Sequence, residues 1–306
     1  MQLDQININT NRIFDFTAPD SKAIQNLVSV SNEKSLSLNS IIDNDTVIDK
    51  TEYPKKVDCA WCYGTKYWDM LDEKQKLEVL WAEVARDVSM FIFLEQSLPP
   101  LYVGYINQYR EGFSKETYEY LMIFSKEEIV HTLIFRKWLA LTNEEIWPAP
   151  SDSYTGFLKM LPAVHPVVGI LSTLTLEWAA ETNAIFTTQN ADVEPVTAKM
   201  FFEHHKEEVR HITFGRRIVN NWFSKAPESE KNVVRQIISK QLTSLLDLIT
   251  CNNDLQKRVS FQLPFDLNDE KTISEIRNSE NNKKINAIRF AEQLEWYKQL
   301  GICSWV

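Results

Sequence analysis

The sequence predicts an all-α fold, a four-helix bundle core with additional helices behind an irregular N-terminal arm. Only 7 glycines in 306 residues, with long stretches free of proline, leave too few turn signals for a many-stranded β protein. From about residue 72 onward, apolar residues recur at helical spacing over long segments. The polar residues that fall within those apolar faces are glutamates and histidines at i, i+3 and i+4 spacing, a pattern that only helices bring to one side.

Composition narrows the function. With 44% hydrophobic and 25% charged residues the chain is an ordinary globular protein. A formal net charge of −9 argues against nucleic acid or an anionic membrane surface as the main partner. No run is long and apolar enough for a spanning helix, and Met1-Gln2-Leu3-Asp4-Gln5 lacks the basic start and apolar core of a signal peptide. Four cysteines in this length make a disulfide framework unexpected, and a reducing cytoplasm is the expected compartment.

Residues 1–65 are rich in Asn, Asp, Ser and Thr without a sustained helical period, and are expected as an irregular arm packed on a single domain over 66–306. Cys59-Ala60-Trp61-Cys62 has the spacing of half a zinc site or a redox motif. Cys251 and Cys303 are isolated and no βαβ pattern surrounds the motif, so ordinary packing is expected.

The first long helix is expected from about Lys74 to Gln96, with Leu77, Trp81, Val84, Val88, Phe91 and Ile92 on one face and Pro99-Pro100 ending it. Glu95 follows Ile92 and Phe91 at i+3 and i+4, so it points with that stripe. A short helix covers about Leu101 to Arg110. Ser114 then caps a helix from about Lys115 to Ala140, where Glu128 and His131 share a face with Leu121, Phe124, Phe135 and Trp138. Residues 143–162 read as a loop, and Pro166 opens a helix running to about Thr188. Its inner face carries Ile170, Thr173, Leu174, Glu177, Glu181, Ala184 and Thr188, and periodicity leaves Glu177 and Glu181 as alternatives.

After the acidic loop 190–194, a helix from about Val196 to Phe223 holds the densest group, Glu203-His204-His205-Lys206-Glu207-Glu208-Val209-Arg210-His211. At 100° per residue from His204, Glu208 falls near about +40° and His211 near about −20°, while Met200, Phe201, Ile212, Gly215, Ile218, Val219 and Trp222 centre at about +20°. His204, Glu208 and His211 therefore face the core. His205, near about +100°, sits at the border of the buried face. Glu203 and Glu207 lean toward the charged side, Lys206 and Arg210 lie outside, and Glu127, about 100° from Glu128, is expected in solvent. Further helices are expected over about Ser229 to Leu248 and Lys283 to Gln299, with a looser chain beyond Asn252.

The inward-facing set is Glu95, Glu128, His131, Glu177, His204, Glu208 and His211. Burying it without cations would cost several kcal/mol per unpaired charge. Two helices give one Glu each and two give a Glu-x-x-His pair, which is the ferritin-like plan for a carboxylate-bridged dinuclear centre. Hard iron ions suit that donor set, and mononuclear zinc would not need four carboxylates.

The combination of Glu95, Glu128-x-x-His131, Glu177 and His204-x-x-x-Glu208-x-x-His211 resembles the AurF-like p-aminobenzoate N-oxygenases, with the likeness spanning roughly Tyr63 to Phe223. His204 matches the extra histidine that separates that family from other ferritin-like oxygenases, and spacing to His204 favours Glu177 over Glu181. The resemblance implies a diiron monooxygenase in which Glu128 and Glu208 bridge two iron ions (Fe2+/Fe3+), Glu95 and Glu177 are terminal, and three histidines complete the set. It further implies O2 as co-substrate and a small-molecule amine, free or carrier-bound, oxidised to hydroxylamine, nitroso or nitro. A role in natural-product biosynthesis and a homodimer are in keeping with it. Electrons would come from an external reductase or ferredoxin, since no flavin or nicotinamide fingerprint is visible. Fold and site do not fix substrate, so a C-hydroxylase or desaturase is the alternative, and a non-enzymatic iron-binding helical protein is a third.

Overall fold

The computed structural model describes residues 21–109, 113–148, 159, 161, 164–250 and 253–302. Among them the chain is helical with no strand, and the isolated bridge between Tyr53 and Val193 is its one trace of β pairing. The helices are α1 (Ser21–Lys34), α2 (Lys66–Asp69), α3 (Glu73–Glu95), α4 (Leu98–Gln108), α5 (Lys115–Thr142), α6 (Pro166–Thr188), α7 (Pro195–Lys225), α8 (Glu228–Thr250), α9 (Glu270–Arg277) and α10 (Glu280–Gln299). The core is ferritin-like: α3 pairs with α5, α6 pairs most extensively with α7, and both pairs meet.

Local sequence sets the long helices. Asp72 and Gln75 form a reciprocal capping box at the start of α3. The Ser114 hydroxyl accepts from Thr117 N–H at the start of α5, and Asn143 ends that helix in the left-handed region at φ 55°. Glu194 accepts from both Val196 and Thr197 N–H before α7, with Pro195 as its first residue. α6 is buried along almost its whole length because α7, α8 and α10 all pack on it. Gly169 permits the approach of α4: a Cβ there would sit 1.8 Å from the Tyr105 hydroxyl oxygen, which donates to Leu161 O.

Several expectations needed correction. The arm expected to be irregular carries α1, a helix whose buried residues are Ile24, Val28 and Ser31 and which lies on α5 and α7. Three inward positions in a polar segment are too few to register as a period, and the helix draws its stability from its partners. Pro99 and Pro100 do not follow the last turn of α3 as a terminator. They lie in the first turn of α4, where a missing N–H costs nothing. Beyond Asn252 the chain adds a 3-10 turn at Asn253–Lys257 and the short α9, so it is more ordered than expected. Cys59 and Cys62 are both buried, with burial pushing the Cys59 thiol up to about 11. Arg110, Cys251, Cys303 and most of the expected loop 143–162 lie outside the described residues.

The apolar core has two parts. One contains Leu98, Tyr102, Phe124, Leu174, Phe214 and Trp222, and the other contains Trp81, Phe91, Phe135, Trp138 and Phe201. Between them lies a layer of buried carboxylates and imidazoles. No helix among the described residues is long and apolar enough to cross a membrane.

Candidate metal centre

Each central helix delivers part of that layer. Glu95 is the last residue of α3, Glu128 and His131 lie at mid-α5, Glu177 lies at mid-α6, and His204, Glu208 and His211 occupy one face of α7. All seven are at most 4% exposed. Donor atoms of Glu95, His131, His204 and Glu208 lie within 4.8 Å of one another, as do those of Glu128, Glu208 and His211. Glu208 belongs to both groups: its Oε1 is 3.3 Å from His131 Nδ1, 3.3 Å from His204 Nε2 and 3.2 Å from His211 Nδ1. Glu177 is in neither group, but its buried Oε1 has no partner.

Each histidine is held from behind by a carboxylate outside the set. His131 Nε2 is 2.7 Å from Glu207 Oε2, His211 Nε2 is 2.8 Å from Glu127 Oε2, and His204 Nδ1 is 3.0 Å from Glu181 Oε2. Such a partner fixes the tautomer and plane of a ring, leaving the other nitrogen for a cation. The inward nitrogens are then His131 Nδ1, His211 Nδ1 (2.9 Å from Glu128 Oε1) and His204 Nε2 (2.9 Å from Glu95 Oε1).

This outer layer was misjudged by the helical wheel. Glu127 and Glu207 are 1% exposed and Arg210 is 8% exposed, because α1 covers the side of α5 and α7 that was assigned to solvent. Arg210 Nη2 donates to Glu127 Oε1 and Glu207 Oε1 at 3.0 and 2.9 Å. Glu177 and Glu181 also separate: Glu181 spends its oxygens on His204 and His205, the latter at 2.8 Å from Nδ1. A residue preceding each inward Glu that could reach the opposite histidine was a signal present in Glu127-Glu128 and Glu207-Glu208, and one-residue angles hid it.

Burial dominates the electrostatics. It pushes Glu177 well above the carboxylate range, with the charges of Glu128 and Glu208 adding to it, and pushes Glu95 up to about 8 against the pull of His204. Glu128 is raised by burial and by Glu208. For Glu208 burial acts upward as well, but the His211 and His204 charges hold it well below the usual range. Burial and the His204 charge act downward on His131, yet Glu207 and Glu208 bring it up to about 9, and facing carboxylates likewise raise His204 and His211. Aromatic rings close the layer: Phe91 and Phe135 meet His204 edge-on at 5.1 and 5.0 Å, and Phe124 stacks on His211 at 3.6 Å.

The layer is short of cations. Glu95 Oε2, Glu128 Oε2, Glu177 Oε1 and Glu208 Oε2 are buried with no hydrogen-bond partner, while Glu128 Oε1 and His131 Nδ1 have only ion-pair approaches, to His211 Nδ1 at 2.9 Å and Glu208 Oε1 at 3.3 Å, without an aligned hydrogen bond. Native folds leave few such atoms, and here they converge. Hard oxygens with imidazole nitrogens are a set that divalent transition metals satisfy.

Comparison with known proteins agrees. The family model described as P-aminobenzoate N-oxygenase AurF matches residues 18–301, well beyond the span from Tyr63 to Phe223 that the motifs cover and including α1. No curated protein matches the chain. The chain belongs to the p-aminobenzoate N-oxygenase AurF family, a family of oxygenases.

Proposed function

From membership of this family, we propose that the protein is a diiron monooxygenase that oxidises the nitrogen of a small-molecule amine. Glu95, Glu128, His131, Glu177, His204, Glu208 and His211 would hold two iron ions. Glu95, His131, His204 and Glu208 would hold one ion and Glu128, Glu208 and His211 the other, with the unpartnered Glu177 carboxylate available to the pair. The observation that carries this reading is the convergence of orphaned carboxylate oxygens and inward imidazole nitrogens in one buried layer.

Bound iron would supply reversible one-electron chemistry for O2 activation. The first oxidation balances as R-NH2 + O2 + 2e− + 2H+ giving R-NHOH and H2O, with electrons from an external reductase or ferredoxin-type donor. The chain's own contributions follow from its geometry. Glu207, Glu127 and Glu181 keep protons on His131 Nε2, His211 Nε2 and His204 Nδ1, so that the opposite nitrogens stay free for metal. Phe91, Phe124 and Phe135 keep water from the rings, which strengthens every charge interaction inside. Burial disfavours charge on Glu95 and Glu177, so those two gain most from a cation.

The test is to load the purified chain with ferrous iron, add O2, reductant and a panel of arylamines and amino acids, free and carrier-bound, and look for mass gain of oxygen on nitrogen. Metal analysis accompanies it. Iron near zero, or zinc alone, sinks the centre. Oxygen gained at carbon transfers the protein to the hydroxylase alternative.

A further inference from the structure

Among the described residues no hydrogen bond or ion pair joins α1 to the seven proposed metal-holding residues, yet the chain at its end reaches the two carboxylates that hold two of them. Glu127 and Glu207 are used alike. Each gives Oε2 to a histidine ring and Oε1 to two donors, one of which is Arg210 Nη2. The second donor comes in both cases from the two residues that directly follow α1. Ser35 Oγ lies 2.6 Å from Glu127 Oε1, and Leu36 N–H donates to Glu207 Oε1 at 2.7 Å. Arg210 is tied to the same helix, since its Nε donates to the fully buried Ser31 Oγ at 2.9 Å. Its Nη1 is fixed by Lys206 O at 3.0 Å, so the guanidinium has one orientation.

We propose that α1 is a clamp on the metal centre: through Ser31, Ser35 and the Leu36 amide it positions Arg210, Glu127 and Glu207, and through them the rings of His131 and His211. This rests on the metal-centre reading above. Two physical facts make it a coupled system. An isolated helix of this length is marginal in water, and α1 fully buries two apolar side chains, Ile24 and Val28, with Leu27 partly buried beside them, so the polar contacts at its end add materially to its docking. The carboxylates in turn are buried, and removing α1 would leave each Oε1 with the guanidinium alone. Docked α1 and bound metal therefore favour each other, and linkage makes the factor the same in both directions. Ser31, Ser35 and Arg210 are positioning residues, and none contacts a metal or substrate.

The test uses the full-length protein with cobalt(II) as a spectroscopic probe and ferrous iron for affinity. In the unaltered protein, metal loading is expected to slow amide exchange at Leu36 and along α1 by about tenfold, the size of coupling that supporting partners give metal sites. Ser35→Ala and Arg210→Lys are expected to weaken metal binding about tenfold and shift the cobalt d–d bands, and Ser35→Thr to restore both. Ser29→Ala, on the exposed side of the same helix, is expected to change neither. Leu36 exchange indifferent to metal, or Ser35→Ala binding metal with unchanged affinity and spectrum, overturns the clamp. If the unaltered chain takes up no metal at all, the centre itself falls and the clamp with it, a result distinct from intact binding without coupling.

Discussion

The two flanks of the histidine layer solve one problem in different ways. His131 and His211 have outer carboxylates locked by a permanent cation, Arg210, and by the half-buried Ser35 and Leu36 that directly follow α1, and the carboxylates and Arg210 are buried. On the other flank His204 leans on Glu181, whose second oxygen goes to His205, a ring with 34% of its side chain exposed. One outer layer is sealed and the other ends at water. The difference teaches that the same His–carboxylate contact has a different meaning according to what stands behind the carboxylate: a sealed partner can only be lost, whereas an open one can be replaced by solvent.

Removing what the flanks share should have the largest effect. Glu208→Ala is expected to abolish metal uptake at both positions, seen as loss of bound iron by metal analysis, because Glu208 Oε1 faces all three histidines. Retention of metal at one position would show that the flanks are independent.

The sharpest comparison is Glu127→Gln against Glu181→Gln. An amide at 127 must turn either its NH2 toward Arg210 and Ser35 or toward His211, and one set of donors meets a donor. Metal affinity should fall about 10- to 100-fold, measured by competition with a chelator. At 181 the amide faces two rings, one of them wet, so a loss below about tenfold is expected. Equal losses would erase the distinction.

The pH response follows from the raised values. In the metal-free fold His131 is raised to about 9 and Glu95 to about 8. A raised value contributes stability that is fully present below the unfolded value, 6.5 for His131 and 4.5 for Glu95, and is lost as pH rises through the folded one. Thermal midpoints of the metal-free chain should therefore fall between pH 6.5 and 9 on account of His131. Metal must displace the same protons, so affinity should rise over that window. Slopes of the same sign in the two titrations would contradict the assignment of His131 as an inward donor.

The smallest effect is expected at the open end. His205→Gln should change metal affinity within about twofold, as solvent-accessible substitutions do, while His204→Ala removes an inward donor and should alter the cobalt spectrum and turnover. A His205 effect as large as that of His204 would mean that the wet flank is structurally sealed after all.

The inward half of this site was legible in sequence because one helix face repeats: Glu128 with His131, and His204 with Glu208 and His211, fall at spacings that only a core-facing stripe explains. α6 was legible to its ends, since Pro166 marks its start. The outer half was not. Glu127, Glu207 and Arg210 are off the stripe of their own helices, and only a helix arriving from elsewhere buries them. That helix, α1, has too few apolar residues to announce itself. A wheel drawn for one helix assigns its far side to water by default, and tertiary cover is the one thing it does not contain.

The division of the apolar core by a charged layer reaches past catalysis into the life of the chain in a cell. A metal-free molecule would keep unsatisfied carboxylates between its two apolar halves and, by the clamp proposed above, a loosened first helix, so it would spend more time open to proteases, whereas a loaded one would withdraw that population by mass action. Iron supply would then be read out as abundance of the protein, with starvation clearing the idle chains before they compete for a scarce metal.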